Sequence, residues 1–177
     1  MFTVVLASTE SNGIGWRKQL PWRVKGDMSF FKKVTTTNNE AGHENTIIMG
    51  RKTWESIPEK HRPLTGRLNV VLTRQLHTKI AGATIAGSLK EGLTIGEKQG
   101  GRIFVIGGAE IYNVAMNHPE CECIYWTKVR RITNEAVKCD VFVNNLPRHV
   151  FALCHESTQQ WIHEGEWKYK IQTYQRI

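Results

Sequence analysis

Cysteine is scarce and scattered in this sequence. Cys121, Cys123, Cys139 and Cys154 form no CxxC pair, and no histidine cluster stands at zinc-finger spacing, which argues against a zinc module or a disulfide scaffold. Cys121 and Cys123 are expected to share one face of a strand, and all four to be reduced thiols of a cytoplasmic protein. No apolar run approaches the length that crosses a bilayer. Membrane spanning is therefore excluded. The amino terminus MFTVVLAS carries no basic flank and reads as a first strand, not a secretion signal. No Asn-x-Ser/Thr acceptor is present, in weak agreement with that compartment. The G-x-G-x-x-G fingerprint is also missing, so a Rossmann dinucleotide domain is not indicated.

What is there suits one globular domain over residues 1–177: 40% apolar and 23% charged residues in a chain long enough to bury a core without staples. A second domain is not expected in this length. Apolar, β-branched runs recur as TVVLA, NTIIMG, LNVVLT, GRIFVIGG, CIYWTKV and WKYKIQTY, with helical stretches between several of them. This alternation through Tyr112 predicts an α/β fold, a mainly parallel central sheet flanked by helices. In WKYKIQTY, Trp167, Tyr169 and Ile171 alternate with Lys168, Lys170 and Gln172, which predicts an antiparallel carboxyl-terminal strand guarded at a sheet edge by its lysines. The polar stretch from Thr35 to Asn45 reads as a loop. A helix is predicted from Ser88, a plausible cap, carrying Leu89 and Leu93 on one face.

One acidic residue stands in LPWRVKGDMSFFKKV. At helical spacing Asp27 shares a face with Phe31 and Val34, while Lys25, Ser29, Lys32 and Lys33 take the other. A carboxylate is thus aimed at apolar surroundings, where without a partner it costs several kcal/mol. Two strand–glycine–helix junctions add a second chemistry. In VIGGAEIY the paired glycines admit close approach of a ligand, and the helix start offers N–H groups to an anion, although a tight turn that binds nothing fits as well. In IIMGRKTWESI the first helical turn carries Arg51, Lys52 and Thr53, cations that oppose the helix dipole unless an anion neutralises them. Together the two suggest a bridged pyrophosphate. LNVVLTR ends in Thr73 and Arg74, suited to a phosphomonoester at the strand ends, or, for Arg74, to plain solvation. A dinucleotide with an extra phosphate, such as NADPH, would use all three.

The segments NGIGWRKQLPW, Asp27 with Phe31, IIMGRKTWESIPEKHRPLTGR, VIGGAEIY, IYWTKV and YKIQTY occur in an order and spacing that resembles dihydrofolate reductase over nearly the whole chain, in a form closer to eukaryotic than to bacterial members. The resemblance implies NADPH-dependent reduction of 7,8-dihydrofolate to tetrahydrofolate by hydride transfer from the cofactor to C6 of the dihydropterin, in the service of one-carbon metabolism. It implies that Asp27 accepts two hydrogen bonds from the pterin, that Thr127 hydrogen-bonds the same carboxylate and that Trp22 holds a water nearby, unless Trp22 is a plain core aromatic. Phe31, Ile57, Pro58 and Leu64 would wall the middle of the substrate, Val5, Ala7, Ile106 and Tyr112 would lie beside the rings, and Arg67 would take the glutamate α-carboxylate. For the cofactor it implies Ala7, Ile14, Gly15 and Ser56 near the nicotinamide, and Arg51, Lys52 and Thr53 with Gly107, Gly108, Ala109, Glu110, Ile111 and Tyr112 around the phosphates. Leu72, Thr73, Arg74 and Ser88 would surround the 2′-phosphate side. Residues Asn12 to Trp22 resemble the mobile lid, with Gly13 and Gly15 as pivots and Leu20 as its apolar tip.

The chain also departs from the family pattern. Asp27 stands where animal enzymes more often have Glu, and Trp16, Gln19, His61 and Thr65 differ from a close vertebrate relative, so inhibitor preference is not transferable. Methotrexate-like antifolates are expected ligands, and a monomer is the expected state. A riboflavin-pathway pyrimidine reductase is the nearest rival of the same fold, and Asp27 with Arg67 favours the folate reading. The net charge of +8 and six tryptophans raise a nucleic-acid module as a rival of another class. Its aromatics should interleave with cations on an exposed face, whereas Trp22, Trp54 and Trp126 sit in or beside apolar runs; nucleic acid is not the expected partner.

Overall fold

The computed structural model describes residues 1–37, 41–75, 77–156 and 160–177. The chain runs β1 (Phe2–Thr9), β2 (Gly13–Gly15), α1 (Lys25–Thr36), β3 (Asn45–Gly50), α2 (Arg51–Ser56), a short 3-10 turn (Glu59–His61), β4 (Arg67–Leu72), β5 (Thr84–Ala86) and α3 (Leu89–Gln99). It continues through β6 (Ile103–Val105), α4 (Ala109–Asn117), β7 (Cys121–Arg131), β8 (Val141–Phe142), β9 (Phe151–Glu156), β10 (Ile162–Glu164) and β11 (Trp167–Arg176). Among the described residues nine strands make one sheet in the order β10-β11-β7-β1-β6-β3-β4-β5, with β9 also on β11. Pairing is parallel from β7 to β5 and antiparallel wherever β11 takes part. A separate two-stranded sheet joins β2 to β8.

The central strands are apolar on both faces because helices cover both. Val4, Leu6, Ile48, Val70 and Val105 face α3 and α4 in one core, and Val5, Ile47, Met49, Val71 and Phe104 face Phe31 and Trp54 in the other. Each such side chain contributes roughly 1.5–3 kcal/mol on burial. Ser88 caps α3 as predicted, accepting from Glu91 N at 3.2 Å.

Four expectations are corrected. The strand β11 is not an edge: β7 pairs along one side of it while β10 and β9 share the other, so Lys168 and Lys170 guard no open ladder. The stretch from Thr35 to Asn45 is not all loop: α1 runs to Thr36, β3 starts at Asn45, and Thr35 and Asn45 are fully buried. Their burial is satisfied by hydrogen bonds, since Asn45 Nδ2 donates to Thr35 O and Thr37 O; residues 38–40 of that stretch lie outside the described residues. Cys121 and Cys123 do not share a face. The register slips where Phe2 pairs Cys121 and Thr3 pairs Cys123, so Cys121 joins the core of Ile124 and Trp126 while Cys123 bonds Tyr125, which packs on the other core. All four cysteines are free. Finally, Gly13 and Gly15 are paired within β2, and the left-handed residues of that segment are Asn12, Arg17 and Lys18.

Candidate functional site

The first turn of α1 places Asp27 under the sheet, 8% exposed. No ion pair to it exists among the described residues. Burial pushes its carboxyl up to about 6; a hydrogen bond from the Thr127 side chain works against that, and the Glu164 carboxylate works with it. Thr127 is buried on β7 opposite Ala7 of β1. Trp22 is buried, and its Nε1 has no acceptor among the described residues. A buried acceptor and a buried unused donor therefore stand at one end of the cleft.

A buried cation stands at the other end. Arg67, 7% exposed at the start of β4, donates from Nε to Thr65 O and from Nη1 to Thr35 Oγ1, at 3.0 and 2.9 Å, and reaches no carboxylate among the described residues. Burial lowers its proton affinity. Its guanidinium lies 5.8 Å from the Phe31 ring, one helical turn beyond Asp27. Ile57 and Leu64 pack with Phe31 on the same core, whose buried members include Val5 and Ile106, whereas Pro58 is exposed. An apolar wall with an anion at one end and a cation at the other results.

A different chemistry occupies the carboxyl ends of β3, β6 and β4. Gly50 N donates to Gly107 O at 2.7 Å, bringing the starts of α2 and α4 side by side. Both helices begin at a glycine, Gly50 and Gly108, and neither has a side-chain cap. Their orphan N–H groups are the donors an anion needs. Gly107 has φ +118, and a Cβ there would meet the Tyr112 ring at 3.0 Å; a Cβ on Gly108 would meet Thr53 Oγ1 at 3.1 Å. Tyr112 Oη lies 2.9 Å from Val5 O within β1 and 2.7 Å from Ile106 O just past β6, sharing one proton between two neighbouring strands. Burial, and then the charge of Asp27, pushes that phenol far up. Arg51 donates to Gln75 Oε1 at 2.8 Å and pairs with Glu55 at 3.6 Å. Thr73, buried just past Leu72 at the end of β4, accepts from Gln75 N; Lys52, Ser56, Arg74 and Glu110 are exposed, and Ala109 and Ile111 are half-buried in the first turn of α4. The Ser88 hydroxyl is engaged as the α3 cap. Among the described residues no cluster of histidine, cysteine or acid side chains suits a metal ion.

The segment Asn12 to Trp22 is tied down by residues that the sequence did not mark. Asp140 N donates to Gly15 O and its carboxylate accepts from Arg17 N, each at 2.9 Å. Gly13 leaves just enough space for Cys139 Sγ. Ile14 is half-buried against the core, while Leu20 is 51% exposed. Also unforeseen are Thr35 as the partner of Arg67 and Glu164 as the neighbour of Asp27; no local motif announces either, because each acts through space.

Fold and side chains first define a class: an α/β protein whose parallel strands lead at their carboxyl ends into two uncapped helix starts, with two buried charges on the side of α1. A family model described as dihydrofolate reductase matches residues 1–176. The chain is 41% identical over 187 positions to a bifunctional dihydrofolate reductase-thymidylate synthase of Daucus carota, covering 99% of this chain and 34% of that protein. It is 43% identical over 152 positions to a dihydrofolate reductase of Pneumocystis carinii, covering 79% and 72%. A solved dihydrofolate reductase from Enterococcus faecalis complexed with NADP(H) and RAB-propyl matches with a TM-score of 0.82 at 26% identity over 99% of this chain and 96% of that one. This chain belongs to the dihydrofolate reductase family. It spans 34% of the length of its carrot relative.

Proposed function

We propose that this chain, acting as a single domain over residues 1–177, reduces 7,8-dihydrofolate to tetrahydrofolate with NADPH. The observation that carries the reading is the pair of buried, mutually unpaired charges, Asp27 and Arg67, at opposite ends of the wall that holds Phe31. Dihydrofolate is complementary to both: its pterin offers adjacent N–H donors to Asp27, and its glutamate offers a carboxylate to Arg67 as a bidentate pair. Thr127 orients the Asp27 carboxyl, Trp22 adds a donor at that end, and Ile57, Pro58 and Leu64 flank the ring between them. Ala7, Val5, Ile106 and Tyr112 shape the floor where the two rings meet.

The donor set on the other half suits the cofactor. The uncapped starts of α2 and α4 would receive the pyrophosphate with Arg51, Lys52 and Thr53, the glycine cradle at Gly107 and Gly108 admits its approach, and Thr73 with Arg74 would hold the 2′-phosphate. When bound, NADPH supplies the hydride that the side chains cannot. The chain's own contribution is to hold both rings, to exclude water beneath the segment carrying Ile14, Gly15 and Leu20, and to keep the Asp27 proton affinity high enough for N5 to be protonated from solvent at neutral pH. Antifolates such as methotrexate would compete at Asp27. A cytoplasmic monomer fits four free cysteines and the absence, among the described residues, of any helix long and apolar enough to cross a membrane.

The test is loss of 340 nm absorbance when the purified chain meets NADPH and dihydrofolate. Fast loss, slower loss with NADH and abolition by methotrexate are expected. A folded sample that consumes no NADPH would refute the reading.

A further inference from the structure

Helix α1 begins without a cap of its own. Its N-cap is Val24, whose side chain accepts nothing, so the first N–H groups need a partner from elsewhere. That partner comes from β10. The Glu164 carboxylate accepts from Lys25 N through Oε1 and from Gly26 N through Oε2, the latter at 2.9 Å. A second side of the same turn is closed by β11, where Tyr169 Oη lies so close to Gly26 that any Cβ there would collide with it. Glu164 and Tyr169 belong to one hairpin, in which Glu164 pairs with Trp167 and Ile162 with Tyr169. Asp27 is the next residue of the clamped turn.

We propose that Glu164 is a positioning residue for the reductase reaction: its carboxylate fixes the first turn of α1 so that Asp27 faces the cleft beside a second, fixed negative charge. The inference rests on Asp27 serving the reaction proposed above. A neutral side chain at Ncap would have served a helix that needed only capping. Here the cap is an anion brought from another element to the one turn that already carries a buried carboxylate, and like charges placed together raise each other's affinity for protons. The groups facing Asp27 are Thr127 on β7, Glu164 on β10, Tyr169 on β11 and Tyr112 on α4, while the Lys25 side chain is exposed. Both phenols are raised by burial first and by carboxylate charge after it. They stay neutral through the working range, which leaves Glu164 as the neighbour whose charge acts on Asp27.

The variants Glu164→Gln and Glu164→Ala remove charge and capping to different degrees: both lose the charge, the Gln oxygen can still accept from one of the two N–H groups although its NH2 cannot accept from the other, and Ala accepts from neither. Two readouts are needed. The carboxyl 13C shift of Asp27, assigned by its loss in Asp27→Asn, follows the titration without any turnover. The pH profile of kcat follows its consequence. In Glu164→Gln the Asp27 midpoint should move to lower pH, and the limb along which kcat falls with rising pH should move with it. The rate at pH 7 then drops about threefold, the factor carried by half a pKa unit, while the low-pH plateau is kept. Glu164→Ala should add a rise in the KM for dihydrofolate and a lower Tm. An Asp27 midpoint and a pH profile unchanged in Glu164→Gln, with any loss confined to Tm, would make Glu164 a structural cap and overturn the proposal. A wild type that titrates at Asp27 but consumes no dihydrofolate would sink the functional reading alone, since the 13C comparison would still decide where Glu164 acts.

Discussion

The two halves of the cleft hold charge by opposite means. In the half lined by α1, Asp27 and Arg67 are 8% and 7% exposed, with no ion-pair partner among the described residues. In the half lined by α2 and α4, the donors are backbone N–H groups and exposed side chains such as Lys52 and Arg74. Buried charge is costly to keep and discriminating when met, because a ligand lacking the complementary group leaves it stranded. Exposed charge and helix ends cost little and suit phosphates, which carry their charge on every face. The fold thus places its energetic cost at Asp27 and Arg67, and saves it at the starts of α2 and α4.

The largest break in that contrast should come from Asp27→Asn. A carboxyl held at about 6 in the fold instead of its ordinary 3.8 binds its proton more tightly folded than unfolded, so its cost is absent below about pH 4 and complete above about pH 6. The ligand-free Asn variant should therefore be about 3 kcal/mol more stable than wild type at pH 7 and no more stable at pH 4, while turnover falls on the order of a hundredfold or more. Urea unfolding at both pH values beside a steady-state assay measures the exchange. Equal stability at pH 7 would mean that Asp27 is not a strained group.

Arg67→Leu should show the same exchange more weakly. Dihydrofolate affinity should fall by about 2–3 kcal/mol, on the order of a hundredfold in Kd by fluorescence titration, with stability unchanged or slightly higher because a buried cation is replaced by an apolar group. Arg74→Ala should mark the other half: a rise of roughly tenfold in the KM for NADPH, none for NADH, and a change in stability within about 0.5 kcal/mol. If Arg74→Ala were to weaken both cofactors equally, the 2′-phosphate role would be lost.

Legibility from sequence followed the same divide between local and distant causes. The spacing of Asp27 and Phe31, the Ser88 cap and the strand–glycine–helix junctions are written within a few residues, and each was readable. The strands β5 and β10 have only three residues each, too few for a periodicity to emerge. Lys168 and Lys170 gave the alternation of β11 correctly and its position wrongly, since alternation shows which face is wet and not how many neighbours a strand has. Thr35 looked like loop because its burial is satisfied by hydrogen bonds to Phe31 O and from Arg67, which hydropathy does not register. Arg67 was read through family resemblance, but its partner Thr35 was not. Glu164 was beyond reach altogether, since its partners lie 138 and 139 residues away.

That last separation has a consequence for how the molecule comes to be. Everything needed to build α1 leaves the ribosome well before the hairpin that settles its opening turn, which follows 138 and 139 residues later. Until then β7 has one open flank and the turn carrying Asp27 lacks its clamp. A nascent chain can assemble the parallel strands and the starts of α2 and α4 beforehand, but the turn that carries Asp27 is clamped only once β10 and β11 have emerged.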